Sequence, residues 1–277
     1  MIPISNYFFI FKLSLLSIIS ETKAAERFLY VNCTNNHVTY TPDSTYAANL
    51  DALFASLSSN ATNPAGFHNS TAGRGPPDVA YGLFLCRGDI SPAACQRCVT
   101  FASAQVVQRC PTLKQATIWY DNCMLRYSNK SIFAAPDLTF RGILWKIQDV
   151  TNALNFQFVL ERLFGDIENR ASIDGLGKKF ATGEANLSSF QSLYALGQCT
   201  PDLTTPECNK CLVKANSDFQ SCCASYQGGR VLFPSCNVRY ETYPFYNALA
   251  APPPPVVPPP TGLYLRTLET GDSPRKY

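Results

Sequence analysis

The sequence predicts an α+β protein built from two tandem disulfide-stapled modules, each with two helices packed on a small antiparallel β-sheet. Three observations lead there. The first is a cysteine pattern that occurs twice in one register. Cys86, Cys95, Cys98, Cys110 and Cys123 recur 113 residues later as Cys199, Cys208, Cys211, Cys223 and Cys236. Neighbours repeat too: Tyr81-Gly-Leu83 with Tyr194-Ala-Leu196, Arg126-Tyr127 with Arg239-Tyr240, and Phe67 with Phe180. Solenoid repeats are shorter, so this period means duplicated domains. The second is that each copy carries an apolar stripe at helical spacing followed by β-rich runs. The third is composition. A chain of 277 residues, 46% hydrophobic, is long enough for two domains with cores, and twelve cysteines point to an oxidising compartment.

The N-terminus agrees with export. Tyr7 to Ile19 is mostly apolar and leads to Thr22-Lys23-Ala24-Ala25, a small-residue cleavage site. Residues 1–25 therefore read as a signal peptide, cut after Ala24 or Ala25. Lys12 interrupts the apolar run, and the uninterrupted part is too short for a membrane anchor. Module one is assigned to 26–137 and module two to 138–248. Residues 249–277 form a proline-rich linker and tail. Pro252-Pro-Pro-Pro-Val-Val-Pro-Pro-Pro260 predicts a polyproline II spacer, and Thr261 to Tyr277 is expected to be disordered. No later segment is a membrane-span candidate.

Within module one, Leu50, Leu53, Phe54 and Leu57 mark the first helix, with Asp43 or Ser44 as its cap. Leu160, Leu163, Phe164 and Ile167 repeat that stripe in module two. Val79 to Leu85 reads as a strand leading to Cys86. Ser91-Pro92 opens the second helix, with serine as N-cap and proline in the first turn. Cys95 and Cys98, one helical turn apart, share a face that Ala102, Val106 and Cys110 extend. Ala116–Tyr120 and Cys123–Ser128 read as strands joined by an Asp121-Asn122 turn, and Gln227-Gly-Gly229 precedes Val231-Leu-Phe233 in the corresponding place.

The net charge of +3 is scattered, with no run of Lys and Arg to contact phosphates, so nucleic acid is not an expected partner. Five Asn-x-Ser/Thr sequons, at Asn32, Asn60, Asn69, Asn129 and Asn186, fit a secreted glycoprotein. Asn32 is the poorest acceptor, because Cys33 follows it. Zinc is disfavoured as a reading of C-x2-C: the two knuckles lie 113 residues apart, against about 15–20 in a zinc ribbon. His37 and His68 lie in polar, loop-like surroundings, have no counterparts in module two, and neighbour no Gly-x-Ser-x-Gly motif. The chain therefore reads as a non-enzyme without cofactor or metal.

The spacing C-x8-C-x2-C at Cys86, Cys95 and Cys98, repeated at Cys199, Cys208 and Cys211, comes with flanking Tyr-x-Leu and Cys-x-x-Arg-Tyr segments. Together they resemble the plant salt-stress-response/antifungal (ginkbilobin-2-homologous) domain. Leu193-Tyr-Ala195, Cys199-Thr-Pro-Asp202, Gly228-Gly-Arg-Val231, Pro234-Ser-Cys236 and Tyr243-Pro-Phe-Tyr246 are most similar to ectodomains of cysteine-rich receptor-like kinases and cysteine-rich repeat secretory proteins. No apolar stretch of about 20 residues and no kinase motif follows the prolines. A secreted paralogue, a splice form and a truncated gene model all stay open.

Six cysteines permit fifteen pairings. The resemblance implies Cys33–Cys110, Cys86–Cys95 and Cys98–Cys123 in module one. Cys33–Cys110 closes the longest loop, a stabilisation of roughly 4–5 kcal/mol in the loop-entropy model. Module two has no cysteine between Cys123 and Cys199 and gains Cys222. If Cys199–Cys208 and Cys211–Cys236 form, elimination leaves a vicinal Cys222–Cys223 bridge.

The resemblance also implies a mannose site made of an Asn after the first cysteine, an Arg six before the last and a Glu five after it. Module one has Thr34, Thr117 and Ser128 there; module two lacks the first cysteine but matches with Arg230 and Glu241. Asn237 or Asn247 could stand in for the missing Asn. The competing and preferred expectation is an ion pair between neighbouring strands. Arg126 and Arg239 hold equal places in the repeat, which implies a structural role: stacking on an aromatic or bonding a carboxylate such as Asp121. The Tyr243-Pro-Phe-Tyr246 cluster, with Phe133 matching Tyr246, is expected in the seam between modules.

These readings converge on a secreted, apoplastic binding module, receptor-ectodomain-like, for a protein or cell-wall glycan ligand in stress and defence signalling. Related receptor-like kinase ectodomains are candidate partners. The alternative is a mannose-binding antifungal effector of lectin type. A thiol oxidoreductase would require Cys222 and Cys223 to turn over.

Overall fold

The computed structural model describes residues 26–33, 38–173 and 177–248. The expected leader (1–25), the proline-rich tail (249–277), Thr34 and His37 lie outside the described residues. Module one runs β1 (Phe28–Asn32), α1 (Thr45–Ser59), β2 (Phe67–Ala72), β3 (Ala80–Cys86), α2 (Pro92–Arg109), β4 (Ala116–Tyr120) and β5 (Cys123–Ser128). Module two repeats the order as β6 (Gly142–Trp145), α3 (Ala153–Ser172), β7 (Phe180–Ser188), β8 (Gln191–Cys199), α4 (Thr205–Cys222), β9 (Gly228–Leu232) and β10 (Cys236–Glu241). The fold is α+β: two antiparallel five-stranded sheets, ordered β1-β4-β5-β3-β2 and β6-β9-β10-β8-β7, each with its own pair of helices.

Local chemistry starts the helices where the sequence directs. The Ser44 side chain accepts from Ala47 N at 3.2 Å, and Ser91 from Ala94 N at 3.3 Å with Pro92 in the first turn. Thr204 and Glu207 form a reciprocal capping box on α4. The α1 stripe of Leu50, Leu53, Phe54 and Leu57 is buried, as is its α3 counterpart. Each stripe packs on the helix-facing side of its own sheet, giving one apolar core per module.

The sheets are larger than expected because the outer strands β1, β2, β6 and β7 join them. His68 consequently lies in a strand, β2, with its ring 6.4 Å from Phe84, rather than in a loop. Neither β2 nor β7 alternates cleanly in its apolar residues, so pattern alone does not mark them as strands.

Every residue of β4 is buried, which a sheet covered on one face only does not give. The second face is covered by the other module. Leu83, Leu85, Trp119 and Met124 from module one form a third apolar cluster with Leu232, flanked by Phe140 and Leu144. The Phe140 ring stacks on Trp119 at 5.3 Å and lies 5.2 Å from Tyr30. Gly88 meets Phe180 across the same seam. A Cβ on Gly88 would lie 2.3 Å from the Phe180 ring, so only glycine permits this approach.

The disulfides join Cys33–Cys110, Cys86–Cys95 and Cys98–Cys123 in module one, and Cys199–Cys208, Cys211–Cys236 and Cys222–Cys223 in module two. The repeat offset places Lys146 where Cys33 stands in module one.

Candidate functional site

A cleft lies between the modules, lined by Leu29, Arg87 and Asp121 from module one and by Gln198, Arg230 and Arg239 from module two. Its polar wall is a charge network centred on Asp121. The β4–β5 hairpin turns at Asp121-Asn122 and pushes that carboxylate towards module two. Three guanidinium groups meet it. Arg230 Nη2, from β9, donates directly to Oδ1. Arg239 Nη1, from β10, reaches the same oxygen at 3.4 Å, and Arg87 Nη1 lies 3.8 Å from Oδ2. Arg230 and Arg239 are direct cross-strand neighbours, so two cations share one sheet face.

Two further carboxylates balance the outer arginines. Asp89 takes both Arg87 Nε at 2.5 Å and Nη2 at 3.1 Å. Glu241 Oε1 takes Arg239 Nε at 3.0 Å and Nη2 at 2.9 Å, and its Oε2 lies 3.0 Å from Lys146 Nζ. Phe245 stacks 3.8 Å beneath the Arg239 guanidinium, and Tyr243 lies 4.3 Å from Lys146 Nζ.

The electrostatics follow from this crowding. Burial would raise the Asp121 carboxyl, but Arg230, with Arg239 and Arg87 behind it, outweighs burial and holds it below the ordinary carboxylate range. Burial and the adjacent Arg239 push the Arg230 guanidinium down to about 10, against the pull of Asp121.

The expected strand-to-strand ion pair between Arg230 and Glu241 is not what forms. Arg230 reaches across the seam to Asp121, and Glu241 is taken by Arg239 and Lys146. The reason is register: β10 sets Arg239, not Glu241, opposite Arg230. Arg239 fulfils both structural expectations at once, on Asp121 and on Phe245. Arg126 instead bonds Asp137. The aromatic cluster divides. Tyr246 stays within module two, 6.2 Å from Tyr194, and its repeat mate Phe133 packs on Tyr81 at 5.7 Å and joins the seam cluster. Asn237 lines the cleft, and Asn247 N donates to Asp89 at 2.8 Å. In module one, Thr117 and Ser128 are buried strand residues.

That last bond has a counterpart. Ala134 N donates to Asp202 at 2.8 Å, and both pairs are related by the 113-residue offset: Asp89 to Asp202, Ala134 to Asn247. Each module therefore grips the other with equivalent groups. Gln198 Nε2 to Cys86 O at 3.0 Å and Asp137 N to Ser235 Oγ at 2.7 Å add to the seam. Sequence reasoning missed Arg87 and Asp89; the repeat of Asp89 at Asp202 was the available signal.

The family model for salt stress response/antifungal domains matches residues 32–130 and again 146–243. The chain belongs to the salt stress response/antifungal family. An antimicrobial ginkbilobin-2-like protein of Castanea crenata is 44% identical over 209 residues, covering 76% of this chain and 85% of that protein. Cysteine-rich receptor-like protein kinase 25 of Arabidopsis thaliana is 41% identical over 246 residues, 87% of this chain. The chain spans only 36% of that kinase's length. Cysteine-rich repeat secretory protein 38 of the same plant is 36% identical, over 84% of this chain and 91% of its own. Among solved structures, the tandem DUF26 ectodomain of the Arabidopsis receptor-like protein PDLP8 superposes with a TM-score of 0.69 at 22% identity, over 79% of this chain and all of that one. The salt stress response/antifungal module is thus present in two tandem copies, as in receptor ectodomains and secreted relatives. Among the described residues no helix is long and apolar enough to cross a membrane.

Proposed function

We propose that this protein is a secreted, extracellular binding module that recognises a partner protein or a cell-wall glycan in plant stress and defence signalling. The observation that carries the reading is the seam. An apolar cluster, a charge network and reciprocal backbone bonds hold two modules in one orientation, which presents a fixed composite surface. The cleft's charged groups are matched to one another rather than poised around a reacting atom, which supports recognition over catalysis. Relatives of the same architecture are receptor ectodomains and secreted repeat proteins, which supports an apoplastic location.

The second reading, a mannose-binding antifungal effector, is favoured by one observation: the Castanea relative, named as antimicrobial, matches along most of its length. Against it, Arg230 and Glu241 already spend their polar atoms on Asp121, Arg239 and Lys146.

One experiment separates the two. The glycosylated protein is applied to an array of fungal mannans and plant cell-wall glycans and, in parallel, to immobilised ectodomains of cysteine-rich receptor-like kinases. Saturable binding to an ectodomain or a plant glycan, unchanged in Glu241→Gln, supports the first reading. Mannan binding lost in Glu241→Gln supports the second. No binding on either surface rejects both.

A further inference from the structure

We propose that Cys222–Cys223 is a thiol-exchange site, at which a small-molecule thiol opens the bridge and remodels the surface around Trp145 and Tyr226. Five bridges link residues between 9 and 77 positions apart and tie a strand, or the end of one, to a helix or its end. The sixth links neighbours, with a sequence separation of 1. A ring closed between adjacent residues removes almost no freedom from the unfolded chain, so it does not serve as a staple. Its Cα atoms stand 3.7 Å apart, short of the usual bridged range of roughly 4.4–6.8 Å. Bridges in that condition, when exposed, are the ones that exchange.

Exposure is also particular to it. Cys222 is exposed, Cys33 is half-buried and the other ten cysteines are buried. An incoming thiolate can therefore reach the Cys222 sulfur from solvent. As its new S–S bond forms, the Cys222–Cys223 bond breaks. The electron pair leaves on the Cys223 sulfur, which takes a proton from water. The product is a mixed disulfide on Cys222 and a thiol on Cys223. The Cys223 backbone is held in the core: its N–H donates to Phe219 O at 2.8 Å and its carbonyl accepts from Tyr240 OH at 2.9 Å. Cys223 thus stays beside Cys222, and its thiolate can attack the mixed disulfide, expel the small thiol and close the ring again.

The ring is wired to an aromatic pair, the exposed Trp145 and the half-buried Tyr226. The Cys223 carbonyl also accepts from Tyr226 N at 3.1 Å. The loop so formed pairs with the segment after β6: Val150 N donates to Ser225 O and Gln227 N to Gln148 O, each at 2.9 Å. Trp145, 53% exposed, stacks on Tyr226 at 6.5 Å. Ring opening releases the Cys222 side chain at the end of α4, next to the loop that seats Tyr226. The occupied site in module one behaves differently, because Cys110 is tied to Cys33 across 77 residues.

The test treats the folded protein with glutathione in steps, traps thiols with iodoacetamide and maps the labelled peptides. Acrylamide quenching is read in parallel, since it reports the exposed Trp145 over Trp119, which is 3% exposed. Glutathione adducts and label should appear first on Cys222 and Cys223, about tenfold faster than at any other bridge. Trp145 quenching should change in step and revert on removal of the thiol. The Cys222→Ser/Cys223→Ser variant, with far-UV circular dichroism as its folding control, should lose the early label and the quenching change. Peptides showing another bridge opening first, several bridges opening together, or either cysteine bonded elsewhere would overturn the proposal. So would quenching that is unmoved while the ring opens.

Discussion

Neutralising Asp121 should loosen the two modules from one another. In Asp121→Asn the side chain keeps its shape and loses its charge, leaving Arg230, Arg239 and Arg87 converging on a neutral amide. Arg239 and Arg87 retain their own carboxylates, Glu241 and Asp89. Arg230 loses the one carboxylate it bonds, and its side chain is only 11% exposed. Two charges about 4 Å apart interact by about 4 kcal/mol at an effective dielectric of ~20. Removing one partner of a fully buried pair costs about 3–5 kcal/mol. Asp121 is 24% exposed, so water softens the loss and the expected destabilisation is about 2–4 kcal/mol. Urea unfolding with disulfides intact measures it, followed by fluorescence of Trp119 in the seam and by circular dichroism. The double variant Asp121→Asn/Arg230→Met should recover most of the loss, because no orphan cation remains. The pH dependence has a defined sign. The Asp121 carboxyl is depressed in the folded state, so its contribution is complete above the unfolded carboxyl value of about 3.9. It is lost only as pH falls through the lower folded value. A single variant within about 0.5 kcal/mol of wild type, or a double variant whose losses simply add, would refute the reasoning.

Other perturbations test other joints. Gly88→Ala should cost about 1–3 kcal/mol through its clash with Phe180, and pairing it with Phe180→Leu should recover part of that in the same urea assay. Glu168, buried between α3 and α4 with Oε1 unbonded, has its carboxyl raised by burial, with Asn216 only partly offsetting this. A raised folded value means stability falls as pH rises through the window above the ordinary carboxyl value. Glu168→Gln should therefore stabilise by about 0.5–1.5 kcal/mol at pH 7 and make no difference near pH 3; thermal melts at the two pH values decide it. Thr204→Ala breaks the α4 capping box and should cost about 1 kcal/mol, read as a lower midpoint in thermal melting.

The fold was legible where one residue type permits one conformation. Ser91-Pro92 starts a helix because proline tolerates only the first turn, and Asp121-Asn122 turns a hairpin between two β-rich runs. The repeat made the second module readable from the first. The polar outer strands were not legible: Phe67–Ala72 pairs through backbone groups that any side chain leaves available. The site was less legible still. Asp121 could be named as a carboxylate for Arg239, but not as the partner of Arg230, 109 residues away in the other module. That contact depends on how two sheets face each other, which no local pattern encodes. Ile118, Trp119 and Tyr120 at consecutive positions of β4 carried the hint, since a strand with large apolar side chains on both faces must have a neighbour on each side.

The matched hydrogen bonds of Asp89 with Asn247 and Asp202 with Ala134 carry a wider consequence. A contact in which each half offers its mate the same donor and acceptor is what two identical subunits make about a twofold axis. Fusing such a homodimer into one polypeptide releases it from concentration dependence and from the need for sameness. Either half can then mutate alone without losing its companion. Asp121 answering Arg230, with no mirror image of that pair, is what such freedom leaves behind.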